Sequence, residues 1–547
     1  MNKYISKFFM GVCTAIALSA CSSDFLETTP TSSTATPTVF ATTSNVKMAV
    51  NGLAYLMKSQ HAAFSQGYCG ENRIRSVFYE YASQEFRYNA IASGWASIMN
   101  GDYYTRTTTN YTKYPWAYYY EIIANANSIV ANVDAAAGEE SERQFLKAQA
   151  LTFRAYCYSK LLELYTPRWQ DTNNGSASGI VLRLDESTGP MPLSTVAQCY
   201  AQVYKDLDDA INNFKASGKD RNAAEYWLTN INVAYAIYAR TALNRQDYST
   251  ALSMAKSARE GYPLMSNAEY ETGFSKKTSE WLFGSYDGDT ENNWYWTFGT
   301  QFACNGYYSQ ATEYGAGAIE KELTDRMPIN DVRMKCFLTI DKFAGLDLYK
   351  GKGTVQNSDG TIKKDVPHMN LTYGYMESDE AWSIADAYIN SRTPSGLAKA
   401  YQSGYYHLGA QLKFWAIGTP GVEPLCFIRS SEMVLIEAEA NYFLKNEEDA
   451  QASLVELNAT SGRNPAYTCT KTGDALFQEI VDYRELELWG EGFNWYDLKR
   501  WNRGFNRLSF ANGGNCHPAT ATEVAANSSN WTWSIPESET NYNTDIK

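Results

Sequence analysis

Apolar residues recur along much of this chain at intervals of three and four, the spacing of one face of an α-helix. Between 115 and 165 this predicts two helices. In the second, Leu151, Ala155, Tyr158, Leu162 and Tyr165 share a face. Thr166-Pro167 ends it, because proline disfavours helix in the residue before it. Residues 195–262 repeat the scheme. Tyr200, Val203, Leu207, Ala210 and Phe214 form one stripe, and Leu228, Ile231, Tyr235, Tyr238 and Ala242 form another.

A turn at 244–248 then leads to a helix carrying Ala251, Leu252, Ala255 and Ala258. A helix, a turn containing Asp-Tyr and an Ala-spaced helix has the form of a tetratricopeptide hairpin, whose small residues let two helices approach closely. Residues 429–461 show it again, with Met433, Ile436, Ala440 and Phe443, a turn near Asn446, then Ala450, Leu454 and Leu457. The stretch 263–425 differs. Its periodicity is poor, Gly, Asn, Asp, Tyr and Trp are frequent, and short strands are expected at 281–286 and 294–298. A long irregular stretch in a helical protein is where function tends to sit. The expected fold is mainly α: helix pairs over about 44–262 and 426–502 form a scaffold. An irregular, loop-rich elaboration with short strands covers about 263–425, and an irregular tail covers 503–547.

The first residues are a targeting segment. Lys3 and Lys7 precede an apolar run from Phe8 to Leu18, too short for a stable membrane span and fit for the core of a signal peptide. It ends in Leu18-Ser19-Ala20-Cys21, the form of a bacterial lipobox, so 1–20 are expected to be removed and Cys21 to carry lipid. Several acyl chains together anchor a protein firmly. Residues 21–43 are rich in Ser, Thr and Pro and read as a tether, leaving 44–547 as the body.

Charge narrows the partners. The chain carries 47 basic and 60 acidic residues; loss of Lys3 and Lys7 leaves about −15, with no basic run for a phosphate backbone. Nucleic acid is therefore not an expected partner. Cys69, Cys157, Cys199, Cys304, Cys336, Cys426, Cys469 and Cys516 remain beyond Cys21, with no C-x-x-C pair, and spacing leaves disulfides open. Aromatics make up 14% of the chain, with 41 Tyr and 14 Trp, which suits a surface that grips ligands with flat apolar faces and polar tips.

Enzyme signatures are missing: there is no His-Glu-x-x-His, Gly-x-Ser-x-Gly or Walker loop, and the four histidines are scattered. No cofactor is expected. Asp287, Asp289 and Glu291 alternate like the start of a calcium loop, but Asn292 and Phe298 stand where Gly and Glu are needed, so a turn is the preferred reading over a structural calcium.

Several segments together resemble the SusD/RagB family. They are Asp24-Phe25-Leu26-Glu27-Thr28-Thr29-Pro30 after the lipobox, Arg154-Ala155-Tyr156 on a helix ending in Tyr165-Thr166-Pro167, and Arg429-Ser430-Ser431-Glu432 on a helix ending in Ala438-Glu439-Ala440. The strongest match runs from Arg484 to Trp501, reading Arg-Glu-Leu-Glu-Leu-Trp-Gly-Glu-Gly-Phe-Asn-Trp-Tyr-Asp-Leu-Lys-Arg-Trp, and Ile535-Pro536 with Glu539 closes the set. Thr166, Gly490 and Asn494 depart from the family pattern. Arg484, Glu485, Glu491, Asp497 and Arg500 are expected to form buried ion pairs rather than a catalytic set.

The resemblance implies a non-catalytic outer-membrane lipoprotein, anchored through Cys21 at the cell surface. Such a protein captures oligosaccharides and passes them to a TonB-dependent, SusC-like transporter. Capture of peptide or another nutrient is the alternative, and a glycoside hydrolase a further one. A sugar site needs flat rings and polar side chains close together on loops. Two segments supply them: Asn292, Trp294, Tyr295 and Trp296, and the stretch with Trp95, Asn100 and Tyr103. These seven residues are the candidate ligand-binding set.

Overall fold

The helices form where local chemistry starts and stops them. In the computed structural model, residues 36–87, 95–286, 297–307, 317–349, 368–370, 376, 378–401, 406–418 and 422–546 are described. α1 (Thr43–Leu56) is capped by the Thr42 side chain, which accepts from Asn45 N at 3.2 Å. The tether expected to reach residue 43 ends sooner, since Thr36–Val39 is already helical and Phe40 packs against the core.

α2 (Asn110–Asn132) and α3 (Glu140–Tyr165) follow. The single apolar face expected for α3 is a correction: apart from Lys147, every residue from Phe145 to Tyr165 is buried. Its polar residues are satisfied internally. The Arg154 guanidinium forks onto the Asp206 carboxylate at 2.8 and 2.6 Å, tying α3 to α4 (Val196–Ser217). α4 begins with a capping box between Thr195 and Gln198 and ends at Gly218, whose positive φ of 61° suits glycine. Its stripe of Tyr200, Val203, Leu207, Ala210 and Phe214 is buried.

α5 (Ile231–Asn244) and α6 (Tyr248–Ala258) form a hairpin through a tight turn with Gln246 at φ 64°. Ala251, Ala255 and Ala258 are buried. The stripe expected at α5 is met in part: Leu228, just before the helix, Tyr238 and Ala242 are buried and Ile231 and Tyr235 pack half-buried against the core, but Val233, Ala234, Ala236 and Ile237 are buried too. α5 packs on more than one side.

The stretch 263–425 is irregular but holds α7 (Asp379–Arg392), a helix the periodicity did not announce. Phe298 opens a helical turn, Phe298–Gln301, instead of ending a strand. α8 (Ser430–Phe443) and α9 (Glu447–Val455) make the second close hairpin, followed by α10 (Gly473–Leu488) and α11 (Asn494–Trp501). Among the described residues, three two-stranded antiparallel sheets stitch separate segments: β1 (Phe86–Arg87) on β3 (Ala318–Ile319), β2 (Trp281–Gly284) on β4 (Cys426–Arg429), and β5 (Phe505–Asn506) on β6 (Glu523–Val524). The molecule is mainly α.

A buried ionic network joins the irregular stretch to the helices. Arg429 donates to Glu280 at 2.5 Å, to Glu487 at 2.7 Å and to Glu491 at 2.8 Å. Lys413 Nζ donates to Glu491 at 2.7 Å, and Arg333 bridges Asp331 at 2.6 Å and Glu487 at 2.9 Å. Arg484 and Arg500 both hold Asp497, at 2.6 and 2.8 Å, and Arg500 also reaches Glu439. Glu485 departs from the expected set. It accepts from the Asn494 side chain at 3.1 Å, and burial, with Glu320 and Asp482 nearby, pushes its carboxyl well above the usual range.

Candidate functional site

The described part of the candidate site is an aromatic platform at the start of α2. The segment before it is pinned from behind: Tyr104 stacks on Trp533 with centroids 4.4 Å apart, and Arg507 donates to the Met99 carbonyl. Ser534 N donates to the Tyr104 carbonyl at 3.0 Å. Gly101 takes φ 70°, which turns the chain so that Tyr103 faces outward while Tyr104 goes into the core. Thr109 caps α2, placing Tyr111 in its first turn.

Tyr103 and Tyr111 stack with centroids 4.6 Å apart and planes 30° from parallel. Both are half-buried. The Arg106 guanidinium lies 5.3 Å from the Tyr103 ring centre. Behind the pair, Phe64, Tyr68 and Tyr114 pack edge to face and tilted, with centroids 5.0 to 5.4 Å apart. Arg73 lies over Tyr68 at 5.0 Å and is 7% exposed; its Nε and Nη1 donate no hydrogen bond among the described residues. Burial raises the Tyr111 hydroxyl pKa, and Arg73 opposes the shift while Tyr68 and Tyr103 add to it, so these four groups sense one another. His61 Nε2 sits 3.1 Å from Glu121 and closes the far edge.

Asn100 donates from Nδ2 to the Ala519 carbonyl at 3.2 Å, leaving its buried Oδ1 without a partner among the described residues. Two of the seven candidate residues, Asn100 and Tyr103, thus lie on one short segment beside a ring pair. The backbone of Trp95 begins a helical turn, Trp95–Met99, but its side chain lies outside the described residues. Asn292, Trp294, Tyr295 and Trp296 also lie outside them, as do Asp287, Asp289 and Glu291 of the calcium-like turn, and Cys21. Sequence reasoning missed Tyr111, Arg73 and Tyr68. Tyr111 was legible as a tyrosine in the first turn after a Thr cap, whereas the approach of Arg73 and Tyr68 is tertiary.

Among the described residues, no group of three His, Cys, Asp or Glu side chains could hold a metal ion, and no helix is long and apolar enough to cross a membrane. The eight described cysteines are free thiols.

The ring pair thus joins the segment before α2 to its first turn, and the C-terminal segment braces it through Trp533, Ser534 and Arg507. A profile of the SusD family matches residues 271–547, and a SusD-like profile described as starch-binding and associating with the outer membrane matches 24–243. The chain belongs to the SusD family. Its fold is similar to that of a SusD-like carbohydrate-binding protein from Bacteroides vulgatus, at 18% identity, covering 92% of this chain and 97% of that one with a TM-score of 0.69. It is also similar to a SusD superfamily protein from Bacteroides thetaiotaomicron, at 20% identity, 92% and 99% coverage and a TM-score of 0.66. A third, from Bacteroides fragilis, has 18% identity, 93% and 100% coverage and a TM-score of 0.66. No curated protein matches the chain.

Proposed function

We propose that this protein captures oligosaccharides at the cell surface and hands them, chemically unchanged, to a TonB-dependent outer-membrane transporter of the SusC kind. The observation that carries the reading is the half-buried Tyr103–Tyr111 stack, with the Arg106 guanidinium over Tyr103, the Arg73 guanidinium over Tyr68 behind it, and Asn100 on the segment that carries Tyr103. A pyranose offers an apolar C–H face and a fringe of hydroxyls. Stacked rings cover the first; a guanidinium and an amide bond the second. Trp95, Asn292, Trp294, Tyr295 and Trp296 extend this surface in the proposal.

The carbohydrate-binding description of the Bacteroides vulgatus neighbour supports the ligand class, and the outer-membrane description of the matching profile supports the place. Residues 1–20 serve as signal peptide, Cys21 carries the lipid, and a short tether lets the body stand off the membrane. The helical parts, about 44–262 and 426–502, are the scaffold, and 263–425 is the ligand-side elaboration.

The test is calorimetric titration of residues 22–547 against plant and host oligosaccharides, with product analysis of the same tubes. Saturable heat with intact sugars is expected. Shortened sugars would overturn the non-catalytic reading, and heat from peptides alone would overturn the ligand class.

A further inference from the structure

α2 presents two aromatic faces. Tyr111 and Tyr114 belong to the platform; Trp116 and Tyr120 form the floor of a separate cavity of about 480 Å³. Its walls are the loop around Arg183 and the C-terminal turn, Glu537–Thr540, with Tyr542 just beyond. Its volume falls in the range of small-ligand pockets.

The cavity is built rather than incidental. The Trp116 and Tyr120 rings lie 4.9 Å apart, and the Tyr120 hydroxyl is anchored on the Val181 carbonyl at 2.7 Å. The Glu539 carboxylate is held at both oxygens: Trp116 Nε1 donates to Oε2 at 3.2 Å and Asn543 Nδ2 to Oε1 at 2.8 Å. Asn543 is itself fixed by the Met191 backbone, accepting from its N–H at 3.0 Å and donating to its carbonyl at 2.8 Å. Each Glu539 oxygen has a further lone pair to offer. Arg183 is folded back by the Ser187 and Gly189 carbonyls at 2.7 and 2.6 Å, and a guanidinium has donors beyond those two. At the rim stands Tyr542, 83% exposed, the most open of the large apolar side chains described.

The geometry points to a second carbohydrate subsite here, taking one neutral pyranose. Adjacent hydroxyls donate to the two oxygens of Glu539, Arg183 donates to a ring or hydroxyl oxygen, and the C–H face lies on aromatic rings at the floor or on Tyr542. A fixed carboxylate suits a pair of neighbouring hydroxyl donors, and rings without a net charge suit a neutral sugar. This subsite shares a helix with the platform but none of the side chains that define it, so either can fail alone.

The experiment is saturation-transfer NMR on residues 22–547. The probes are methyl α-D-glucopyranoside, methyl β-D-galactopyranoside and methyl α-D-mannopyranoside, with tetraglycine as the peptide probe. The expected result is transfer to at least one glycoside that persists in Tyr103→Ala/Tyr111→Ala. Added to that double variant, which removes the platform, Tyr542→Ala and Glu539→Gln each lower the affinity for that glycoside about tenfold, the effect of losing one good anchor. Tyr542 is exposed and Glu539→Gln conserves shape, so both variants fold, which their melting curves check. Three results overturn the subsite: no transfer to any glycoside, transfer only to tetraglycine, or transfer that survives both variants. Transfer lost in the Tyr103/Tyr111 variant also overturns it, since the sugar then sits on the platform.

Discussion

Glu491 and Arg429 meet in the protein interior, with Arg429 Nε 2.8 Å from Oε2 and Nη2 2.8 Å from Oε1. Burial pushes this carboxyl up, but Arg429 and then Lys413 more than reverse it and hold it at about 2. The pair lies where β4 meets the segment after α10, so it ties the irregular stretch to the scaffold. Removing one member strands the other charges. Arg429→Met is expected to cost about 3 to 5 kcal/mol of stability in urea unfolding, the usual penalty for breaking a buried pair. A loss under about 1 kcal/mol would mean that the network is solvated rather than buried.

Glu80 behaves in the opposite way. Burial raises its carboxyl to about 7, although the Gly492 N–H and Arg75 favour the charged form. A carboxyl raised in the folded state binds protons more tightly there than in the unfolded chain. Its contribution is therefore complete below the ordinary value of 4.5 and is lost as pH rises through about 7. Glu320, also raised to about 7, acts in the same direction. Thermal stability is expected to fall between pH 5 and pH 7, and Glu80→Gln is expected to flatten that fall. An equally steep fall in the variant would remove Glu80 from the account. At the acid end the sign reverses, because Glu491 loses its contribution as pH drops from 4.5 towards 2.

The platform depends on its backing. Trp533 stacks on Tyr104, and its backbone N–H donates to the Leu164 carbonyl at 2.9 Å. Trp533→Ala is expected to cost about 3 to 5 kcal/mol by cavity formation. It is also expected to loosen the 95–104 segment, seen as faster amide exchange at Tyr103 and Tyr104. Unchanged exchange there would show that Trp533 does not brace the platform.

Much of the scaffold was legible because its helices contrast one face with another. The α4 stripe and the alanines of α6 are examples. α3 defeated the same reasoning, since a helix buried on all sides has no polar face to set its phase. α7 went unseen because its buried residues, Ala381, Ala385 and Ile389, are few and two of them are small. In the Arg484–Trp501 segment, buried ion pairs were expected among Arg484, Glu485, Glu491, Asp497 and Arg500 without partners assigned, and the structure pairs Arg484 and Arg500 with Asp497. Charge alternation could not show that Glu485 sits among carboxylates contributed from Glu320 and Asp482. At the site, Asn100 and Tyr103 stood out by local crowding of polar and aromatic residues. Arg73 and Tyr68, about thirty residues earlier, reach the same place only through the packing of α2 on the 61–73 segment.

The anchor is testable apart from the ligand. In cells fed a clickable fatty acid, the full-length chain is expected to take up label and sediment with membranes, and Cys21→Ala is expected to lose both. Label that persists in the variant would contradict lipidation at this cysteine.

The most direct test of the central claim compares Tyr103→Ala with the unaltered protein by calorimetry on one oligosaccharide that binds. Tyr103 is half-buried on the outer side of its stack, so the melting temperature should hardly move. Affinity should fall at least tenfold, about 1.4 kcal/mol, as expected for loss of a central aromatic anchor. Unchanged affinity in a folded Tyr103→Ala protein would contradict the platform as the place where sugar is held.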